Sequence, residues 1–524
     1  MSIYSEENGA SAFSHSALLP WLATTVAGAF LLYYFSNIIF GRKRLPGPWL
    51  TIPFLGDTIE LALSDYARMM FSRFKRYGRV FRMRLLGFEA YVVADPEVLR
   101  PLLSDDGATV AMPVQTFNWL MENLNVLRSK ETHRPWRKLH LAAVTGGGLK
   151  AMVPLIRQIM EDHVRQWATD GRVEIFEEAR LLGLDLAIFA ITGINLEGKV
   201  DVTWFKEQVS MYVRGLYGLP IVLPGSKMAK ALAAKRRLLN TLMPLMRERH
   251  EAFHAEWEAA GKDADKIASK MMESGDGVSL NKVQMLGFHS TGGETLRDSA
   301  LSALHGIMAA ADTTRFALFN TWAILAQMPA VQDKVFEEQK KVIAEFGPEI
   351  GYQAMSNMPY LDAVFKEALR VLPPSSGGFR KLTRDVTICG VTLPAGTIVW
   401  YHALLLQMLD PVLWDGDTSY DIPPYMDWRN NLEDAFQPER WLADEAKRPR
   451  NFYVFGSGSH MCPGMNLVQM EVKLLLTLVM RRFSLELEVP DMLLRLAAQF
   501  PYLIPAKGTD GMRLVPRVQG LPWS

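Results

Sequence analysis

The chain of 524 residues carries 57 Lys and Arg against 56 Asp and Glu, a formal net charge of +1. That balance disfavours nucleic-acid binding by the whole chain, and 49% apolar with 22% charged residues excludes wholesale disorder. Its two cysteines, Cys389 and Cys462, exclude a disulfide scaffold, and with no C-x-x-C pair a cysteine-based zinc ribbon is excluded as well.

In chain order, the first feature is an uncharged stretch of 24 residues from Ala17 to Phe40. At about 1.5 Å per residue such a helix can cross a bilayer core of about 30 Å. Glu6 and Glu7 precede it, and Arg42, Lys43 and Arg44 follow at once. The positive-inside rule therefore predicts a tail at 1–16 on the lumenal side, a transmembrane anchor at 17–40 and a cytoplasmic bulk. A cleaved secretory signal would need a basic leader and a shorter apolar core. A basic, proline-rich hinge over 41–50, ending in Leu45-Pro46-Gly47-Pro48-Trp49, stiffens the exit. Residues 51–524 show no repeat and no low-complexity linker, and read as one unit.

Apolar residues three and four apart predict helices over Met152–Trp167, Thr295–Met328, Val331–Phe346, Tyr360–Val371 and Asn466–Phe483. Pro135 suits a helix's first turn, from which Trp136, Arg137 and His140 project toward one side. Strand patterns are fewer: Phe81–Leu85, Ala90–Val93, and a hairpin-like Val386–Thr397 punctuated by Cys389-Gly390 and Pro394-Ala395-Gly396. The expected class is mainly α with a minor β-sheet region.

The most informative segment is Phe455-Gly456-Ser457-Gly458-Ser459-His460-Met461-Cys462-Pro463-Gly464, directly ahead of the last apolar helix. A cysteine at the end of a glycine-rich loop can be approached closely by backbone N–H groups, and a helix N-terminus behind it favours an anionic sulfur. An inert buried cysteine in a tight turn does not explain ten positions in register. The segment resembles the F-x-x-G-x-[RH]-x-C-x-G haem signature of the cytochrome P-450 monooxygenases. By that resemblance Cys462 is the axial thiolate and metal ligand of haem b, Phe455 packs near it, and His460 stands where an Arg commonly meets a haem propionate.

The resemblance covers Leu45 to the C-terminus and implies the family's helix-rich triangular prism around a buried haem. Glu367-Ala368-Leu369-Arg370, with Pro438-Glu439-Arg440-Trp441, resembles the family's buried ion triad, formed here by Glu367, Arg370 and Arg440 as structural support for the haem loop. Ala309-Ala310-Ala311-Asp312-Thr313-Thr314 resembles its A-G-x-[DE]-T-[TS] segment, with Ala310 in place of glycine. The implied roles are Thr313 as the alcohol positioning a proton-bearing water and Asp312 as the acid feeding that relay. Trp136, Arg137, His140 and Arg380 become propionate contacts. The implied pocket residues are Met112, Phe117, Trp119, Leu120, Ala309, Ser376, Phe379, Phe500 and Tyr502. Two further segments, Leu216–Pro220 with Leu223-Pro224-Gly225, and Gly378–Lys381, resemble the branch of retinoid, sterol and plant-terpenoid hydroxylases.

The implied activity is insertion of one oxygen atom of O2 into a lipophilic substrate such as a sterol, terpenoid or other isoprenoid. No dinucleotide or flavin fingerprint is evident, so NADPH-derived electrons would arrive through NADPH-cytochrome P-450 reductase, with cytochrome b5 as a further partner. The implied location is the endoplasmic reticulum membrane. Three other readings stand beside it: a haem-dependent isomerase, a haem protein without turnover, and a zinc protease, because His250-Glu251-Ala252-Phe253-His254 matches H-E-x-x-H. The charge-rich surroundings of that last motif read instead as a solvated helix.

Overall fold

The computed structural model describes residues 24, 25, 27–29, 31, 32, 35, 45–48, 51, 52, 54–104, 107–111, 113, 115–122, 130–216, 218–273, 282, 285, 286, 289, 295–499 and 502–522. The expected tail at 1–16 lies outside them. Within the expected anchor, the described residues are helical. Among the described residues no single helix is long and apolar enough to cross a membrane.

Helices dominate, with a five-stranded sheet to one side. Strands β1 (Val80–Leu85) and β2 (Phe88–Val93) form a hairpin in which Val80 faces Val93. Strand β3 (Ala108–Val110) lies at the opposite edge. Four helices frame the centre: α1 (Lys130–Val144), α2 (Lys227–Ala259), α3 (Leu296–Leu325) and α4 (Pro359–Val371). Strands β4 (Gly377–Leu382) and β5 (Ile398–His402) complete the sheet in the order β1-β2-β5-β4-β3, with β2 parallel to β5 and the other pairs antiparallel. Helix α5 (Met465–Met480) follows the glycine-rich loop.

The predicted helices and strands are found, most within three residues of their expected ends, but the helix expected over Met152–Trp167 runs from Gly146 to Asp170, and Phe483, expected in the last helix, begins a strand. Cys389 and Gly390, at φ +50° and +75°, form the turn of the two-residue hairpin between Val386–Ile388 and Val391–Leu393. One expectation is corrected: Pro135 lies within α1 rather than at its start, since the helix begins at Lys130 with Glu131 favouring its N-terminal dipole.

Two apolar cores divide the molecule. One joins the sheet to the segments around it, and the larger surrounds α3, whose residues Phe316 to Leu325 are all buried. Helix α3 is capped at Thr295 by a reciprocal box with Asp298. The expected hinge is partly folded onto the sheet: Leu45 is buried, the Arg82 N–H donates to the Pro46 carbonyl (2.7 Å), and the Arg82 guanidinium donates to that of Pro48 (3.0 Å). The folded body therefore begins before residue 51.

Candidate active site

A cavity of about 730 Å³ lies between α1, α3, α4 and the loop leading into α5. Its floor is Cys462, Pro463 and Gly464, and its walls include Trp136, His140, Ala309, Ala310, Thr313, Phe365, Leu369 and Leu467.

The loop folds as its sequence requires. Gly456 and Gly458 have φ of +73° and +71°, and a Cβ at Gly458 would collide with the Leu103 carbonyl. The Cys462 N–H donates to the Phe455 carbonyl (2.8 Å), closing the loop. The exposed surface of Cys462 faces the cavity, not open water. Burial drives its thiol pKa up, while the Gly464 N–H on the sulfur and the nearby Arg137 cation hold it down. Both of these favour a thiolate over a thiol.

Around that floor, Trp136 and His140 stack at 3.7 Å between centroids, and His140 Nδ1 meets the Trp136 carbonyl (2.9 Å). Burial lowers the His140 pKa to about 4, so the ring is neutral. His460 stacks on His133 (3.9 Å), a buried partner that no motif marked. Arg137 points beneath the floor, donating to the Met461 carbonyl (2.6 Å), and is not among the cavity-lining residues. Arg380 is buried under Tyr401, its guanidinium 4.9 Å from the ring, with Nε lacking a partner among the described residues, and it is not itself among the cavity-lining residues. Burial lowers its pKa. A buried guanidinium with an unmatched donor suits a carboxylate ligand, and a cavity-facing sulfur that accepts from the Gly464 N–H suits a metal. The donor set fits haem.

On α3, Thr313 Oγ1 faces the cavity and donates back to the Ala309 carbonyl (2.6 Å), the i−4 bond expected of a Thr in a helix. Asp312 does not join it. One residue step turns a helix about 100°, and Asp312 faces Arg180 and Arg315, outside the cavity lining. The helix Ile175–Asp185 is pressed close on that side, since a Cβ at Gly183 would stand 2.8 Å from the Ala311 carbonyl.

The triad is assembled. Glu367 accepts from Arg370 Nε and Nη2 (both 2.8 Å), Arg440 Nη1 (2.5 Å), Trp441 Nε1 (2.9 Å) and the Gln437 N–H (3.0 Å). Burial would raise the Glu367 pKa, but Arg370 and Arg440 bring it below the ordinary value.

Most implied pocket residues point elsewhere. Ala309 lines the cavity; Met112 and Phe500 lie outside the described residues. Leu120 is buried against Gly215, and its carbonyl accepts from Tyr212 (3.0 Å). Phe117 and Trp119 pack on the helical core. Phe379 faces Phe88 and Trp400, because strand side chains alternate and its neighbour Arg380 takes the other face. Ser376 and Tyr502 border a separate small pocket, where Tyr502 stacks on Phe316 (3.7 Å).

Sequence reasoning missed Glu471 and His305. Glu471 on α5 is fully buried in the cavity wall, accepts from Thr314 (3.3 Å) on one oxygen, and has its pKa raised to about 8 by burial. A lone acid within the apolar run of α5 was its signal.

The zinc motif is not assembled. His250 is buried and bonded to Ser299 (2.8 Å), while His254 is exposed and pairs with Glu258 (3.6 Å). Among the described residues no cluster of three or more His, Cys, Asp and Glu side chains could hold a metal ion. The expectation of a solvated helix is also corrected, since His250, Phe253 and Trp257 form a buried face.

Comparison with known proteins gives a consistent picture. Abscisic acid 8'-hydroxylase 1 of Arabidopsis thaliana is 26% identical over 474 residues, covering 88% of this chain and 91% of the relative. Human Cytochrome P450 26C1 is 28% identical over 480 residues, covering 85% and 84%. The solved structure of retinoic acid bound cyanobacterial CYP120A1 superposes with a TM-score of 0.70 at 22% identity, covering 90% of this chain and all of that one, and shares the fold. The Cytochrome P450 family model matches residues 46–426 and 433–506, nearly the whole of the folded body, and the chain belongs to that family of monooxygenases, which use haem b on a cysteine thiolate, O2 and NADPH-derived electrons.

Proposed function

We propose that Cys462 is the thiolate ligand of haem in a monooxygenase acting on a lipophilic substrate, an isoprenoid being the favoured class. The observation that carries this is the placing of Cys462 and Thr313 on one largely apolar cavity, the form expected of a small-molecule site. Haem held there supplies dioxygen activation and oxygen-atom transfer. The chain's own residues do the rest. The Gly464 N–H and Arg137 stabilise charge on sulfur. His460, Trp136 and neutral His140 on the cavity wall, with Arg380 buried behind the cavity-lining Tyr401, would hold the propionates. Thr313 Oγ1 can exchange its back-bond to Ala309 for a water and pass a proton toward the cavity.

The same reading includes a single-pass anchor at 17–40 in the endoplasmic reticulum membrane, with reductase and cytochrome b5 as electron donors in the cytoplasm. It is supported by Arg42, Lys43 and Arg44 after the apolar stretch. The relatives' names, hydroxylation of abscisic acid among them, fit an isoprenoid substrate.

The test is the ferrous carbonyl spectrum of the purified chain, where thiolate ligation gives a red-shifted Soret band. Cys462→Ser should abolish that band and the turnover together. Retention of both would overturn the assignment.

A further inference from the structure

We propose that His305 is a specificity-determining residue, recognising an oxygen function at the end of the substrate remote from the carbon oxidised. The inference rests on the cavity being the substrate chamber. His305 and Thr313 are eight residues apart on α3 and line the same cavity, so about 12 Å of helix axis separates them. The wall beside His305 on α3 includes Asp298 and Ser302, and Glu122 joins them from the segment before α1, while the cavity as a whole is largely apolar, with Ala310, Ala317, Phe365, Leu369 and Val468 among its lining.

The charges beside His305 are already matched. Glu122 pairs with Lys235 (2.5 Å) and Arg297 (2.8 Å), Lys235 also donates to the Trp119 carbonyl (2.9 Å), and Asp298 serves the Thr295 cap. His305 is left over: its Nε2 is buried and has no hydrogen-bond partner among the described residues. Burial and the Lys235 cation lower its pKa to about 4. The ring is therefore neutral at physiological pH, with one N–H to give and one lone pair to receive. A buried polar group without a partner is destabilising, and a ligand that pairs it relieves that cost. A hydroxyl could satisfy the ring in either direction, and a carboxylate could accept its N–H. An elongated substrate, apolar at the oxidised end and oxygenated at the other, meets both the apolar lining and His305.

The experiment uses the holoprotein and ligands tied to the iron at one end: N-alkylimidazoles with octyl, decyl and dodecyl chains, ending in methyl, hydroxyl or carboxylate. Binding is read from the Soret shift. At one chain length the hydroxyl or carboxylate form should bind about tenfold more tightly than its methyl counterpart, the worth of one hydrogen bond. His305→Leu should erase that preference while leaving the methyl series and the ferrous carbonyl band unchanged. His305→Gln, which keeps a donor and an acceptor, should restore part of it. A preference that survives in His305→Leu, or none at any chain length, overturns the proposal. Absence of the red-shifted band in the unaltered chain would instead overturn the haem-thiolate reading.

Discussion

Removing the Glu367 carboxylate should destabilise the protein far more than the loss of a surface bridge. Glu367 has no exposed area and Arg370 and Arg440 are 1% and 15% exposed, so Glu367→Leu leaves two guanidinium groups facing each other in a place water scarcely reaches. The Trp441 and Gln437 N–H groups lose their acceptor as well. Breaking a buried pair from one side costs about 3–5 kcal/mol, a large part of the roughly 5–15 kcal/mol that holds a domain folded. Urea unfolding of the holoprotein, followed by far-UV circular dichroism and the Soret band together, measures this. Combining Glu367→Leu with Arg370→Met and Arg440→Met should recover much of the loss, because no charge is then left stranded. The sign with pH follows from the lowered pKa. The carboxylate's contribution is full above its unfolded value, and disappears as pH falls through the folded one. A loss of under about 1 kcal/mol for Glu367→Leu, the worth of an exposed pair, would refute the reasoning.

Three further outcomes are expected. The Glu471 carboxyl, raised from 4.5 to about 8, keeps its proton in the folded chain. Between those values it lowers stability as pH rises, by at most about 1.4 kcal/mol per pH unit, and Glu471→Gln should flatten that slope in unfolding titrations. Gly183→Val should cost about 1–3 kcal/mol by overpacking, since its added carbon meets the Ala311 backbone; an unchanged melting point would mean the helices separate freely. Thr313→Ala should cut product-forming turnover about a hundredfold with the carbonyl band intact, and an unchanged ratio of product to NADPH consumed would remove Thr313 from proton delivery.

What the sequence disclosed was contiguous. The loop from Phe455 to Gly464, the Glu367–Arg370 turn and the Thr313 back-bond each lie within one short segment, whose geometry is set by glycine φ angles or helix spacing. What it hid depends on rotation and distant packing. Asp312 and Thr313 are adjacent in sequence yet face Arg180 and the cavity respectively. The resemblance put the aromatic Phe117, Trp119 and Tyr502 in the pocket, but Phe117 and Trp119 pack on the core and Tyr502 stacks on Phe316 beside a separate pocket. His305 carried no motif; its meaning came from Lys235 and Glu122, brought to it by α2 and by the segment before α1.

The stitching of Pro46 and Pro48 to Arg82 has a mechanical consequence. With two carbonyls clamped to a sheet strand, any pull on the chain ahead of Leu45 would enter the folded body at β1 rather than through a slack leash.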